Sequence, residues 1–333
     1  MLQKIIAKLI EKKNLNDEDS KGAISDIMDG NATDAQIASF LTALRMKGET
    51  IDEISACARV MRQKAISIYP KVSHLVDTCG TGGDNSGTFN ISTAAAFVAS
   101  GAGAFVAKHG NRSMTSKCGS ADVLKEIGIN IELSPKDVKR CIEEIGIGFM
   151  FAPVFNPAMR HASNARKEIG FKTIFNILGP LTNPANAKSQ LIGVFDEGLL
   201  EVVVQVLKNL GSRHVIAVNA DGMDEISICS NTKVCELKDS KIESYTLNPQ
   251  DFGFKKSPIS KIRGGLSSEN AKIMIGVLNG AKGPRRDIVV LNAAAALLAA
   301  DIAKDYGQGI KLAAESIDSK KALGKLEELK NFI

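Results

Sequence analysis

Residues 77–128 read DTCGTGGDNSGTFNISTAAAFVASGAGAFVAKHGNRSMTSKCGSADVLKEIG and hold the densest cluster of functional signals in the chain. Leu75, Val76 and Asp77 run into Gly80-Thr81-Gly82-Gly83-Asp84, the form of a strand end followed by a glycine-rich turn. Glycines so closely spaced let the backbone take positive φ and bring its N–H groups close to an anion. Gly87-Thr88-Phe89-Asn90-Ile91-Ser92-Thr93 then stands directly before the alanine-rich run 94–99. Small polar residues in that position predict a helix N-terminus with capping side chains, free N–H donors and the positive end of the dipole. A phosphate fits there. The pattern repeats, because residues 102–107 read as a short buried strand ending in Lys108-His109-Gly110-Asn111-Arg112, a cationic group suited to a polyanion. A hydroxyl-rich loop over 113–119 follows, and Ser120-Ala121-Asp122 opens an amphipathic helix carrying Val123, Leu124 and Ile127. Ordinary βα turns also use glycine and serine, so it is the two loops together that point to a site with room for two anionic groups.

Outward from this stretch, strand-like runs at 75–76, 105–107, 215–219 and 288–292 alternate with helical segments. That alternation predicts an α/β domain over residues 71–333 with a mostly parallel central sheet. Upstream, residues 1–68 are helical in pattern, with apolar Ile24, Ile27 and Met28 and then Ile37, Phe40, Leu41 and Leu44. Asn31-Ala32-Thr33-Asp34 and Thr50-Ile51-Asp52-Glu53 read as helix starts. Residues 1–70 therefore form a small all-α domain, joined through Tyr69-Pro70-Lys71. A helical insertion, NPAMRHASNARKEIGFKTIFNILGPLTNP at 156–184, is expected to return the chain to that domain and complete it near 156–190. Its Arg160, His161, Arg166, Lys167 and Lys172 are locally basic, which a solvated helix face explains for most of them.

Residues 215–219 (VIAVN) lead into Asp221-Gly222-Met223-Asp224-Glu225-Ile226-Ser227. A strand that delivers adjacent carboxylates at its C-terminal end suits Mg²⁺, although Asp-Gly is also a common turn.

Composition narrows the function classes. The 333 residues are 44% hydrophobic and carry a formal net charge of +5 with no basic block or tail, so nucleic acid is not implied. The longest apolar run, around 288–300, contains Asn292 and is too short to cross a bilayer. The lysine-rich amphipathic start, MLQKIIAKLIEKK, lacks arginine and precedes Asp17, Glu18 and Asp19, which favours a surface helix over a transit peptide. Six scattered cysteines without a Cys-x-x-Cys pair argue against zinc and iron–sulfur sites and for a cytoplasmic protein.

GTGGD at 80–84, NIST at 90–93, KHGNR at 108–112, GSADVL at 119–124, FNILGPLTNP at 175–184 and DGMDEIS at 221–227 together closely resemble the anthranilate phosphoribosyltransferases. The resemblance covers nearly the whole chain. It implies a small helical domain hinged to a larger α/β domain of nucleoside-phosphorylase type, usually as a homodimer joined through the helical domains. The implied reaction moves the phosphoribosyl group of 5-phosphoribosyl 1-pyrophosphate (PRPP) to the amine of anthranilate, the second step towards tryptophan. By the same resemblance, Gly80, Gly83, Asp84, Thr88, Asn90, Ile91, Ser92 and Thr93 would hold PRPP. Lys108, His109, Gly110, Asn111, Arg112, Ser113, Met114, Thr115, Ser116 and Ser120 would close over it. Ser92, Asp224 and Glu225 would hold Mg²⁺, and Gly80, Asn111 and Arg166 would bind anthranilate. Asn156, where histidine is frequent, and Lys172, where arginine is, depart from the family pattern and bear on the outer anthranilate channel.

Two rival readings use the same superfold. A nucleoside phosphorylase would need a phosphate nucleophile and a nucleobase pocket, whereas Asp224-Glu225 and Arg166 favour pyrophosphate and a carboxylate-bearing acceptor. A nucleic-acid-binding relative would lose the carboxylates and gain surface charge.

Overall fold

The computed structural model describes residues 1–84, 86–113 and 117–332. Four helices come first: α1 (Leu2–Ile10), α2 (Asp17–Met28), α3 (Asp34–Lys47) and α4 (Ile51–Lys64). The two expected helix starts are true capping boxes. Thr33 accepts from Gln36 N and Thr50 from Glu53 N, while the Gln36 and Glu53 side chains bond back to the cap N–H. Glu53 is buried and also takes Leu15 N–H and the Lys47 ammonium, each at 2.8 Å, which ties the α1–α2 connection to α4.

The chain then alternates: β1 (Leu75–Gly80), α5 (Ile91–Gly101), β2 (Phe105–Gly110), α6 (Ser120–Ile127), α7 (Pro135–Ile145), β3 (Ile147–Phe151). After α8 (Ala152–Phe155), α9 (Arg160–Ile169) and α10 (Ile174–Leu178) it returns to β4 (Ser189–Gly193), α11 (Leu200–Asn209), β5 (His214–Asn219), β6 (Thr232–Lys238) and β7 (Lys241–Leu247). Helices α12 (Ser267–Leu278), α13 (Pro284–Ala299), α14 (Tyr306–Asp318) and α15 (Lys321–Lys330) complete the described chain. The sheet runs β3-β2-β1-β4-β5-β6-β7, parallel through β5 and antiparallel at β6 and β7. Among the described residues no helix is long and apolar enough to cross a membrane.

Residues on a strand alternate between faces, and the packing follows that period. Ile216 and Val218 of β5 join the core beneath α5 and α13, while Val215 and Ala217 join one that continues through α11 into the helical bundle. Helices α9 and α10 pack on α2, α3 and α4, so the insertion lies against the bundle.

The run 288–292, expected as a strand, lies inside α13. An apolar stretch buried on every side carries no diagnostic period, and its length, alanine content and Pro284 at the first turn favour helix. The strand expected at 102–107 lies three residues later, so that Lys108 and His109 are strand residues. Four strands, β3, β4, β6 and β7, went unread. The fully buried β3 and β4 show no polar alternation, and β6 and β7 form a polar edge hairpin.

Candidate active site

Parallel pairing sets Gly80 opposite Gly193, and the C-terminal ends of β1, β2, β4 and β5 form one edge. Open α/β sheets bind ligands there. The glycine-rich turn leaves β1 with Gly82 at φ 63° and Gly83 at φ 69°, conformations that side chains with a Cβ rarely adopt. Gly80 is needed for a different reason, since a Cβ there would lie 2.5 Å from Asp224 Oδ2. Thr81 N donates to Gly193 O at 2.9 Å, and Gly82 N donates to Asp224 Oδ2 at 2.9 Å. Further along, Ser86 N donates to Asp84 Oδ1, and Thr88 lies against Ser86 and bridges to Arg263.

Helix α5 starts at Ile91, as expected, but its N-terminus is served differently. Asn90 does not cap it, because its side chain donates to Cys118 O and accepts from Asn270 instead. Glu225 Oε1 accepts from Ser92 N at 3.0 Å, so a carboxylate stands at the positive end of the helix. The Ile91 side chain is fully buried and its N–H donates to Phe89 O. Thr93 is buried with its hydroxyl lacking a hydrogen-bond partner.

Three carboxylates converge beside this helix. Burial, and next the charge of Asp84, pushes Asp224 up to about 7. Burial and the adjacent Asp224 push Glu225 well above the usual carboxylate range. Asp84 keeps one buried oxygen, Oδ2, without a hydrogen-bond partner. The neighbouring cation is Lys108, 3% exposed, whose ammonium donates to Thr78 O and, at 3.3 Å, to Ser92 Oγ. Burial lowers the Lys108 pKa, opposed by the attraction of Asp77, a fully buried carboxylate beneath it. Hard oxygen donors crowded this way fit Mg²⁺, which binds few carboxylates and completes its shell with substrate phosphate and water. Among the described residues no group of three or more His, Cys, Asp or Glu is arranged as a closed metal cage.

The two described ends of the second loop are held by one carboxylate. Asp122 takes the N–H groups of Gly119 and Ser113 at 2.9 and 3.0 Å, and Arg112 lies over the Phe151 ring with Asp122 at 3.5 Å. Asn111 is exposed at the rim, and its carbonyl accepts from Ala121 N and Ser120 Oγ. Gly110 gives the Ser120 hydroxyl and the Phe149 ring the space that a Cβ would take. Met114, Thr115 and Ser116 lie outside the described residues. His109 is half-buried beside this loop, with Nε2 unpartnered, and burial lowers its pKa to about 4.

Arg166 comes from α9, half-buried, its guanidinium 5.3 Å from the centroid of Phe175. Among the described residues it has no carboxylate partner, and burial lowers its pKa. Lys172 lies 3.6 Å from the Phe195 ring centroid and against Gly83, beside the glycine-rich turn. Asn156 is buried, with Oδ1 unpartnered.

Some positioning residues went unread in the sequence. Asn292 of α13 donates to Ile226 O and accepts from Ile226 N, both under 3 Å, clamping the chain just after Glu225. A lone amide inside an apolar run was the available signal. Residues 262–265 pair with the glycine-rich turn through Phe89 N to Ile262 O and Gly264 N to Gly87 O, and Asn270 holds Asn90. Nothing local marks that pairing.

The chain matches the glycosyl transferase family, helical bundle domain, over residues 3–65, and the glycosyl transferase family, a/b domain, over residues 72–323. It is 54% identical to anthranilate phosphoribosyltransferase of Acetivibrio thermocellus over 333 residues, covering 100% of this chain and 96% of that protein. It is also 54% identical to the enzyme of the same name from Methanocorpusculum labreanum, over 99% of this chain and 97% of that one. Among solved structures it is similar to anthranilate phosphoribosyltransferase from Thermus thermophilus, with a TM-score of 0.94, 39% identity and 98% of each chain covered. The Saccharomyces cerevisiae enzyme in complex with PRPP and Mg aligns with a TM-score of 0.89 at 29% identity, covering 98% of this chain and 96% of that one.

Proposed function

This chain belongs to the anthranilate phosphoribosyltransferase family, and on that premise we propose that it joins the ribosyl C1 of PRPP to the amine of anthranilate, releasing pyrophosphate with inversion. This is the second step of tryptophan biosynthesis from chorismate. The observation that carries the reading is the edge where the glycine-rich turn, the α5 N-terminus, Lys108 and the Asp224-Glu225 pair converge. The turn from Gly80 to Asp84, Thr88 and residues 90–93 would hold PRPP, with Lys108, His109 and the loop through Ser120 along its other side.

Mg²⁺, when bound, would neutralise charge on the pyrophosphate; Asp224, Glu225 and Ser92 would hold it, as the crowding of buried acids beside Ser92 allows. The barrier is departure of the leaving group, during which positive charge grows on the sugar and negative charge on pyrophosphate. Lys108, fixed by Thr78 O and Ser92 Oγ, supplies a cation that needs no reorganisation. Arg166, with no acid partner among the described residues, would pair with the anthranilate carboxylate, and Gly80 and Asn111 would complete that subsite. An aromatic amine has a free lone pair at neutral pH and loses its proton readily after attack, so no strong general base is assigned. Positioning of two substrates and exclusion of water do the rest.

The proposal includes a cytoplasmic homodimer. Its support is six cysteines, none in a disulfide, and apolar Ile10 and Met46, 71% and 80% exposed on the packed pair α1 and α3. Light scattering should give twice the 35.5 kDa chain mass. The activity itself is tested by the loss of anthranilate fluorescence on mixing protein, anthranilate, PRPP and Mg²⁺, with a chelator control. No loss from folded protein would overturn the assignment.

A further inference from the structure

We propose that Lys172 is the cation that grips the pyrophosphate end of the donor from the far side of the cleft, with the Phe195 ring as its resting place between turnovers. The inference rests on the reading of the turn from Gly80 to Asp84 as the donor site. Lys172 enters from the short connection between α9 and α10, which pack on the helical bundle, whereas the turn belongs to the sheet. A side chain that crosses from one to the other is placed to respond to whatever fills the gap.

Three contacts aim it at that gap. Its ammonium lies 3.6 Å from the Phe195 ring centroid, and among the described residues no carboxylate pairs with it. Its Cε would stand 3.0 Å from a Cβ built on Gly83, so the aliphatic stem rests on backbone that glycine leaves bare. Phe195 is itself part of the turn's framework, since its N–H donates to Thr81 Oγ1 at 3.0 Å and Thr81 N donates to Gly193 O. Ring, lysine and glycine-rich turn therefore form one cluster in which, among the described residues, the ammonium has no carboxylate partner.

A cation over an aromatic face is held less strongly than one bonded to phosphate oxygens, so an anion in the turn would draw the ammonium off the ring. The insertion thereby divides its cations by chemistry. Arg166, a planar fork, suits a carboxylate, and Lys172, a compact point charge with rotatable donors, suits a phosphate. Because Lys172 moves with the helical side, the grip would draw the two sides together only once donor is bound.

The test uses the whole chain as K172M, K172R and F195L. Calorimetric titration with inorganic pyrophosphate and Mg²⁺, without anthranilate, reads binding directly, and KM is measured for PRPP and anthranilate. K172M should weaken pyrophosphate and raise the PRPP KM by about tenfold or more, leaving the anthranilate KM and the thermal midpoint near wild type. K172R should restore most of the loss, and F195L should bind pyrophosphate at least as well as wild type. Wild-type pyrophosphate affinity in K172M, or a rise confined to the anthranilate KM, overturns the role. F195L losing as much as K172M overturns the resting-place assignment. A wild-type protein with no phosphoribosyl transfer sinks the reading of the whole site, whereas an active wild type with an indifferent K172M sinks only this inference.

Discussion

Strand β5 has a polar cluster at each end, and the two are opposites. At its start, His214 is 1% exposed and its ring nitrogens meet Glu236 Oε1 at 2.8 Å and Asp301 Oδ1 at 3.2 Å. Tyr245 donates to Glu236 Oε2 at 2.6 Å and touches the Tyr306 hydroxyl, while Arg213 pairs with Asp301. Burial alone would raise both carboxyls, yet the bonds from His214, Tyr245 and Arg213 hold Glu236 and Asp301 below the usual range. Beyond its other end, burial pushes Asp224 and Glu225 upward, with the charge of Asp84 adding to the first and that of Asp224 to the second. Acids held low belong to a finished network that clasps β5, β6, β7 and α14. Acids held high fit a site that takes a cation.

The sharpest break of this contrast is the double variant D224N/E225Q. It should lower turnover at least about a hundredfold and abolish Mg²⁺ dependence in the fluorescence assay, while the thermal midpoint holds or rises because repulsion is removed. Full activity would show that the pair holds no metal. Next in size, R166A should raise the anthranilate KM about 10- to 100-fold and leave the PRPP KM nearly unchanged, a split that paired steady-state measurements decide.

At the finished end the pattern should invert. E236Q should cost about 1–3 kcal/mol of stability in denaturant titration at pH 7, with kcat unchanged. A carboxyl whose folded pKa is depressed contributes stability that is present above its unfolded pKa and lost as pH falls through the folded value. E236Q should therefore differ from wild type above about pH 4 and converge with it below. A drop in kcat with intact stability would erase the distinction between the ends.

The smallest effect concerns His109, whose folded pKa of about 4 lies below the ordinary value. The unfolded chain takes up a proton that the folded one refuses, so stability declines as pH falls from about 6.5 towards 4, by at most about 1.4 kcal/mol per unit. NMR of the ring protons should show no His109 titration above pH 5. A midpoint near 6.5 would mean that the ring is solvated.

Much of this was legible in the sequence, for reasons that differ by region. Capping boxes at Thr33 and Thr50 are local, so the helical bundle could be read directly. The glycines at 80–83 and the Asp224-Glu225 pair also declare themselves locally, because positive φ and adjacent acids need no distant partner to be noticed. The run 288–292 misled because burial on every side erases the period that separates strand from helix. Asn90 misled because its rival partners, Cys118 and Asn270, come from distant segments.

By itself, then, the sequence determined the helical bundle, the alternating α/β class and the chemistry carried by each loop, since these depend on neighbours within a few residues. Only the tertiary structure decided that Glu225, not Asn90, stands at the α5 N-terminus, that Asn292 clamps the chain behind the acid pair, and that Lys172 faces the glycine-rich turn. Each of those contacts joins residues from about 66 to more than 130 positions apart or crosses from the insertion to the sheet, where register and packing, not local propensity, choose the partner.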